Sequence, residues 1–519
     1  MNYGTYGFPR RKLYDVNTES LDDGVIKTVA SEIIAAGDLV RYSAGIKKVP
    51  YAIGLSHMPG NDTIGAVRKQ TTRPYTVQSN TCKMWKLNNH NTVNFYCKTS
   101  ESVVQFDIIS PAGEVIVPEK VLAVTTTAIF EVVDLNNGTF MVLHGPTLQF
   151  SIYTYDGVLN IGPTVVKASA MSGCTCVLTD EGTVIISAYT SASPYNLYLF
   201  KYTDAGVIVG TEVDTGKTIS SGTSKLSICP VANNRIALVY TVPTTEYLKY
   251  SIYNYDLTQY GVETTIHTYG NTARTAAVST IAGGFIAFSC DANAYPYFRM
   301  YDAEGVALTT VITISTTWGA LANNKLLKMA NGGFAVVVTT TGSKLHACII
   351  SEEGRLQYIT PDSGTPLGAG YYDRLAACPL DSGGIACIYA ENINNYPKLK
   401  IMDNTLQSVC SDSVLYSTAP SDLSITAGCG GITAWILHND SYPRLTYISG
   451  ERRPILGIAV SSAIKGNELY IRKAGKYGNS VSVKLSNNWG ESPLTFDTTS
   501  LGGGLAGTVI GKTCLLNGA

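Results

Sequence analysis

Charged side chains are scarce in this sequence. Asp, Glu, Lys and Arg make up 15% of its 519 residues, against ~25% in an average soluble domain. Ser, Thr, Asn and Gly must therefore wet the surface, and those residues suit strands and turns better than helices. No segment repeats apolar residues at helical spacing over a dozen positions, so helix is expected to be nearly absent. Long apolar runs are missing as well, and none nears the ~20 residues of a membrane span. The opening MNYGTYGFPRRKLYDVNTES lacks the apolar core of an export signal, so Arg10-Arg11 is not read as one. Charge of one sign is also absent. With 38 basic and 39 acidic residues the net charge is −1, which argues against nucleic acid as a partner. The lone basic cluster, Arg10, Arg11 and Lys12, is short enough to be a solvated arm.

Catalytic and metal-binding motifs are missing too. The histidines His57, His90, His144, His267, His346 and His438 are scattered, with no pair at metal-ligand spacing. There is no phosphate-cradling loop and no G-x-S-x-G elbow. The Gly-rich LGGGLAG near the end does not open a helix after a strand, so it is read as a tail. Cys174 and Cys176 stand two apart, the wrong spacing for a zinc knuckle, and the other cysteines sit singly in apolar stretches, as in NFYCK at Cys97. They read as buried free thiols of a chain folded in a reducing cytoplasm. No catalytic residue, metal or cofactor is expected, and the chain is read as not an enzyme.

What is present is a repeat. FSIYTYDGVL at 150–159 returns as YSIYNYDLTQ at 250–259, and KLSICPVANN at 225–234 returns as RLAACPLDSG at 374–383. A turn followed by an apolar strand marks every copy, anchored at Asn91, Gly138, Gly182, Asn234, Gly284, Gly333, Gly384 and Gly431. The spacing of about 50 residues is that of a propeller blade. One unit parses as strand a at 274–281, b at 285–291, c at 297–302 and d at 306–314, with Gly, Asn and Asp at the turns. The fold class predicted is all-β: a β-propeller with eight blades, or seven, and small flanking β modules. The last copy supplies a, b and c. Either ERRPILGIAV provides its strand d, or the ring has seven blades. Asp156, Asp204 and Asp302 are read as formers of the c–d turns.

Four segments follow: an extended arm at 1–20, a small β module at 21–74, the propeller at 75–450, and a second module with a Gly-rich tail at 451–519. Tyr295-Pro296, Tyr396-Pro397 and Tyr442-Pro443 recur in b–c loops, with Pro194-Tyr195 as a reversed version. In a propeller these loops share one face, so Tyr195, Tyr295, Tyr396 and Tyr442 are the candidate binding residues, able to stack on sugars or anchor a protein. The alternative is that Tyr-Pro only starts strand c and packs on the next blade.

The two end segments match each other: Ile53-Gly54-Leu55-Ser56 with Leu456-Gly457-Ile458-Ala459, Gly60-Asn61-Asp62 with Gly466-Asn467-Glu468, and Val67-Arg68-Lys69 with Ile471-Arg472-Lys473. This pattern over 33–69 and 454–475 resembles the β modules of tailed-bacteriophage virion proteins of the tail-fibre, appendage or head-decoration type. The resemblance implies a virion structural protein, assembled in the host cytoplasm. Its terminal modules would attach it, and its propeller would contact a host-surface glycan or protein, or other virion proteins, as a homo-oligomer. The alternative is a bacterial propeller enzyme or lectin acting on glycans.

Overall fold

The computed structural model describes residues 65–450, apart from short stretches chiefly in loops, together with the backbone of strands in both terminal segments. The described residues contain no helix. They form eight antiparallel units of four strands each. In blade 1 the strands are Lys83–Lys86, Thr92–Cys97, Val104–Ile109 and Val115–Val121. Blade 2 follows with Ile129–Asp134, Thr139–His144, Thr147–Thr154 and the first part of the long strand Leu159–Leu178. The second part of that strand opens blade 3, which continues through Thr183–Thr190, Asn196–Thr203 and Val213–Thr218. Blade 4 runs from Leu226–Val231 to Gln259–His267, and blade 5 from Ala276–Ser279 to Ile312–Thr313. Blade 6 runs from Leu321–Lys328 to Leu356–Ile359 and blade 7 from Gly368–Pro379 to Ser413–Val414. Blade 8 holds Pro420–Gly428, Gly431–His438 and Pro443–Ser449.

The missing strand of blade 8 comes from the other end of the chain. Val67–Thr72 pairs antiparallel with Pro443–Ser449, from Thr72 opposite Arg444 to Val67 opposite Ile448. This corrects the expectation that ERRPILGIAV supplies it. The ring has eight blades, and its outermost closing strand lies in the segment that the sequence groups with the N-terminal module.

Eight apolar clusters, one at each seam, close the circle. Phe95, Phe106 and Phe140 join blades 1 and 2. Trp435 and Leu437 of blade 8 meet Tyr96 and Ile109 of blade 1. Strand b is buried along its whole length in blades 1, 5, 6 and 8, because both faces of every blade are covered by neighbours. That is why these strands read as unbroken apolar runs and not as alternating ones. Outer strands face water along most of their length, as in Val115–Val121, where Val117 alone is buried.

The anchor glycines have a steric reason. A Cβ on Gly284 would lie 2.0 Å from the Tyr301 carbonyl oxygen, and one on Gly384 2.4 Å from that of Met402. A second turn, between strands c and d, tucks each blade against the preceding one. Gly354 in blade 6 sits at φ +77° with Met300 of blade 5 so close that a Cβ would meet its sulfur at 2.7 Å. Blades 4 and 7 place leucine at this turn position: Leu257 at φ 68° and Leu406 at φ 64°. Both side chains are buried in the seam to the preceding blade. Leu257→Gly should relieve about 1 kcal/mol of left-handed strain but lose a buried Leu worth about 3 kcal/mol. A net loss of about 2 kcal/mol is expected in urea unfolding; a stabilised variant would contradict this packing role.

Asp302 forms its turn as expected, its Oδ1 accepting from the amides of Glu304 and Val306. At the other two turns Thr154 and Thr203 accept the corresponding amides, of Val158 and Val207. Strand d of blade 5 is shorter than expected: a bridge at Ala307 precedes a break, and pairing resumes at Ile312. The same break follows the bridges at Ile208 in blade 3 and Ser408 in blade 7; in blade 5 Thr309 fills it, its hydroxyl accepting the Met300 amide and its carbonyl accepting Arg299 Nε.

Candidate functional site: the loop face and the polar seams

The four tyrosines singled out in the sequence all precede a strand c and share the face formed by b–c and d–a loops. They belong to blades 3, 5, 7 and 8, so they do not converge on one pocket. Tyr195 packs edge-on against Tyr189, with ring centroids 6.4 Å apart, and its carbonyl accepts the Ile219 amide at 3.0 Å. Its ring is part of the seam between blades 3 and 4. Tyr295 and Tyr396 are half-buried. Tyr442 is 40% exposed and held from below: its amide donates to Asp440 Oδ1 and its carbonyl accepts Arg444 Nη1, both at 2.9 Å. Of the four, Tyr442 presents its ring most freely to a partner.

Three polar sets escaped sequence reading. A tyrosine at the end of strand b donates to a carboxylate on, or just before, strand d of the same blade: Tyr96 to Glu119 at 3.0 Å, Tyr240 to Glu263 at 2.5 Å, Tyr389 to Asp412 at 3.0 Å. A lysine ammonium completes each set: Lys98 at 2.5 Å from Glu119, Lys217 at 3.2 Å from Glu263 with Lys249 beside it, and Lys400 at 2.7 Å from Asp412. The tyrosine–acid spacing is 23 residues in all three cases. That constant spacing, in blades 1, 4 and 7, is the signal by which the sets could have been found. Glu263 is held below the usual carboxylate range, because its bonds to Lys249, Tyr240 and Lys217 outweigh the burial that opposes them. Each acid is partly exposed at the mouth of a seam and can accept from a hydroxyl or amide there.

The innermost strands surround the axis and carry a further group. Glu131 of blade 2 accepts from Trp85 Nε1 of blade 1 at 3.0 Å. Burial raises its proton affinity, opposed by Trp85, Lys83 and, from blade 6 across the ring, Lys325. The thiols of Cys174 and Cys176 face the same carboxylate and are pushed well up by burial. Among the described residues, no group of three or more His, Cys, Asp or Glu could hold a metal ion, and Cys174, Cys176, Cys229, Cys348, Cys378, Cys387 and Cys410 are free thiols.

No protein-family model and no curated protein matches this chain. Similar solved structures do exist. A virginiamycin B lyase from Staphylococcus aureus is 12% identical over 73% of this chain and 99% of its own, with a TM-score of 0.38. The Dos1 propeller is 11% identical over 75% and 96%, at 0.44. The lectin BP39L from Burkholderia pseudomallei is 11% identical over 67% and 98%, at 0.43. The likeness says nothing about activity in this chain. It corrects one expectation all the same. Structures named as lyases are among those similar to this chain, so the reading that it is not an enzyme, drawn from missing motifs, does not stand.

Proposed function

We propose that this chain is a bacteriophage virion structural protein that displays its propeller, loop face outward, to a host-surface glycan or protein. One observation carries the reading. Val67 and Ile448, where the chain enters and leaves the ring, are paired on the a–b and c–d turn side, opposite the loop face that bears Tyr195, Tyr295, Tyr396 and Tyr442. Attachment through the ends therefore leaves the tyrosine face free. The turn side also exposes apolar residues just after the c–d turns, among them Val158, Val207, Val306 and Leu308 at 58–61%. Exposed apolar groups repeated on this side of blades 2, 3 and 5 suit docking against other virion proteins or further copies of the chain. Free thiols fit assembly in the host cytoplasm.

The test is a truncation to residues 65–450, which keeps the closing strand Val67–Thr72. The truncated chain should fold, with the thermal transition of the propeller, yet be missing from purified particles. Normal incorporation would place attachment elsewhere. A second reading, a glycan-binding propeller outside any virion, draws on the three tyrosine–acid–lysine sets. It requires glycan binding by the free protein that is lost in Glu263→Gln or Asp412→Asn.

A further inference from the structure

The closing strand is held very unevenly at its two ends. Beyond Thr72 the chain is fastened across the seam between blades 8 and 1. The Arg73 amide donates to the Pro443 carbonyl at 3.0 Å, and the amides of Val77 and Gln78 donate to the carbonyls of Ser441 and Cys97 at 2.8 Å. Arg73 Nη2 lies 2.5 Å from Asp107 Oδ2. Tyr75, Tyr96 and Trp435 stack in series, with centroid distances of 5.2 and 5.5 Å. At the other end Gly65 is buried close to Cys410, but Val67 is 39% exposed and the ladder is irregular between Tyr447 and Ile448. An outer edge strand of six residues would fray from that end.

The chain beyond that end does not run free. Leu39–Tyr42 of the N-terminal segment pairs with Ile455–Ala459, which follows strand c of blade 8. Val25–Val29 pairs with Glu468–Arg472 through five registered positions. All of these strands belong to one six-stranded sheet. The two chains leaving blade 8 at Val67 and Ser449 are thus rejoined a short distance on, through the connections 49–66 and 450–454.

We propose that this shared terminal sheet is a clamp that holds the propeller ring shut. With the clamp made, a closing strand that peels off remains tethered at both ends and re-pairs at high effective concentration. With either connection cut, one tether remains and the open strand explores more conformations before it returns. Ring closure and the pairing of the two ends are thereby coupled: what stabilises the terminal sheet, including its docking to another protein, also tightens blade 8.

The experiment uses the full chain with a specific protease site inserted between Gly60 and Asn61, between Glu451 and Arg452, or at both places. The protein folds intact and is cut afterwards, so folding is not at risk. Amide exchange is then followed in Val67–Thr72 and Pro443–Ser449. Either single cut should speed exchange there about tenfold, leave blades 3 to 6 unchanged, and match the effect of both cuts together. Unchanged exchange after either cut, or a double cut whose effect is the product of the two single ones, would overturn the clamp.

Discussion

Trp435→Ala is expected to cost about 3–5 kcal/mol of stability, the usual price of emptying a fully buried aromatic site. Trp435 is completely buried in strand b of blade 8. It stacks on Tyr96 at 5.5 Å with the Arg73 guanidinium 5.8 Å from its ring centroid. Its indole N–H has no hydrogen-bond partner, so the loss is one of packing and not of polar pairing. Trp435→Phe keeps a ring in the stack and removes a buried unpaired donor, and should cost far less. Urea unfolding of the two variants separates the effects. Near-equal costs, or a loss under about 1 kcal/mol for the alanine, would mean that the seam between blades 8 and 1 does not rest on this stack.

Acid should weaken the propeller through two histidines. His144 and His438 are fully buried, and burial lowers each to about 4 from 6.5. In both, one ring nitrogen lacks a partner, Nδ1 in His144 and Nε2 in His438. A folded pKa below the unfolded one gives stability that is complete above pH 6.5 and lost as pH falls toward 4. The loss is about 3 kcal/mol for each residue. Asp107 acts in the opposite sense. Burial raises it to about 6, against the pull of Arg73 and Asn94, so its contribution is complete below 3.8 and is lost as pH rises through 6. It returns about 3 kcal/mol on acidification, leaving a net loss of about 3 kcal/mol between pH 6.5 and 4. Urea midpoints measured across that range should show a fall that is smaller in His144→Gln and His438→Gln and steeper in Asp107→Asn. A flat profile in the parent protein would show that these groups do not titrate as their burial requires.

The repeat was legible because each blade buries strand b on both faces and turns at a glycine or asparagine. Those two needs leave an apolar run after a fixed kind of turn, as at Gly284-Phe285 and Gly384-Ile385. Ring closure was not legible. Nothing local in VRKQTT points to a partner some 375 residues away, and its pairing follows only from the need to complete blade 8. The break in strand d of blade 5 recurs in blades 3 and 7, a feature of how the outer strand meets strand c that no strand propensity records. The tyrosines were placed on the right face by the order of strands, but their division among four blades, and the seam packing of Tyr195, depend on tertiary contacts. Glu131 looked like an ordinary strand residue. Its setting beside Trp85 and facing Lys325 comes from three blades meeting at the axis.

Accessibility on intact particles tests the account most directly. A short epitope would be inserted either into the exposed b–c loop Ser191–Pro194 or into the c–d turn Asp204–Gly206, on opposite sides of blade 3. Antibody should bind assembled particles through the loop insertion and not through the turn insertion, while recognising both in the free protein. Binding through the turn insertion with the loop insertion masked would show the propeller mounted the other way round, with the tyrosine face as its attachment side.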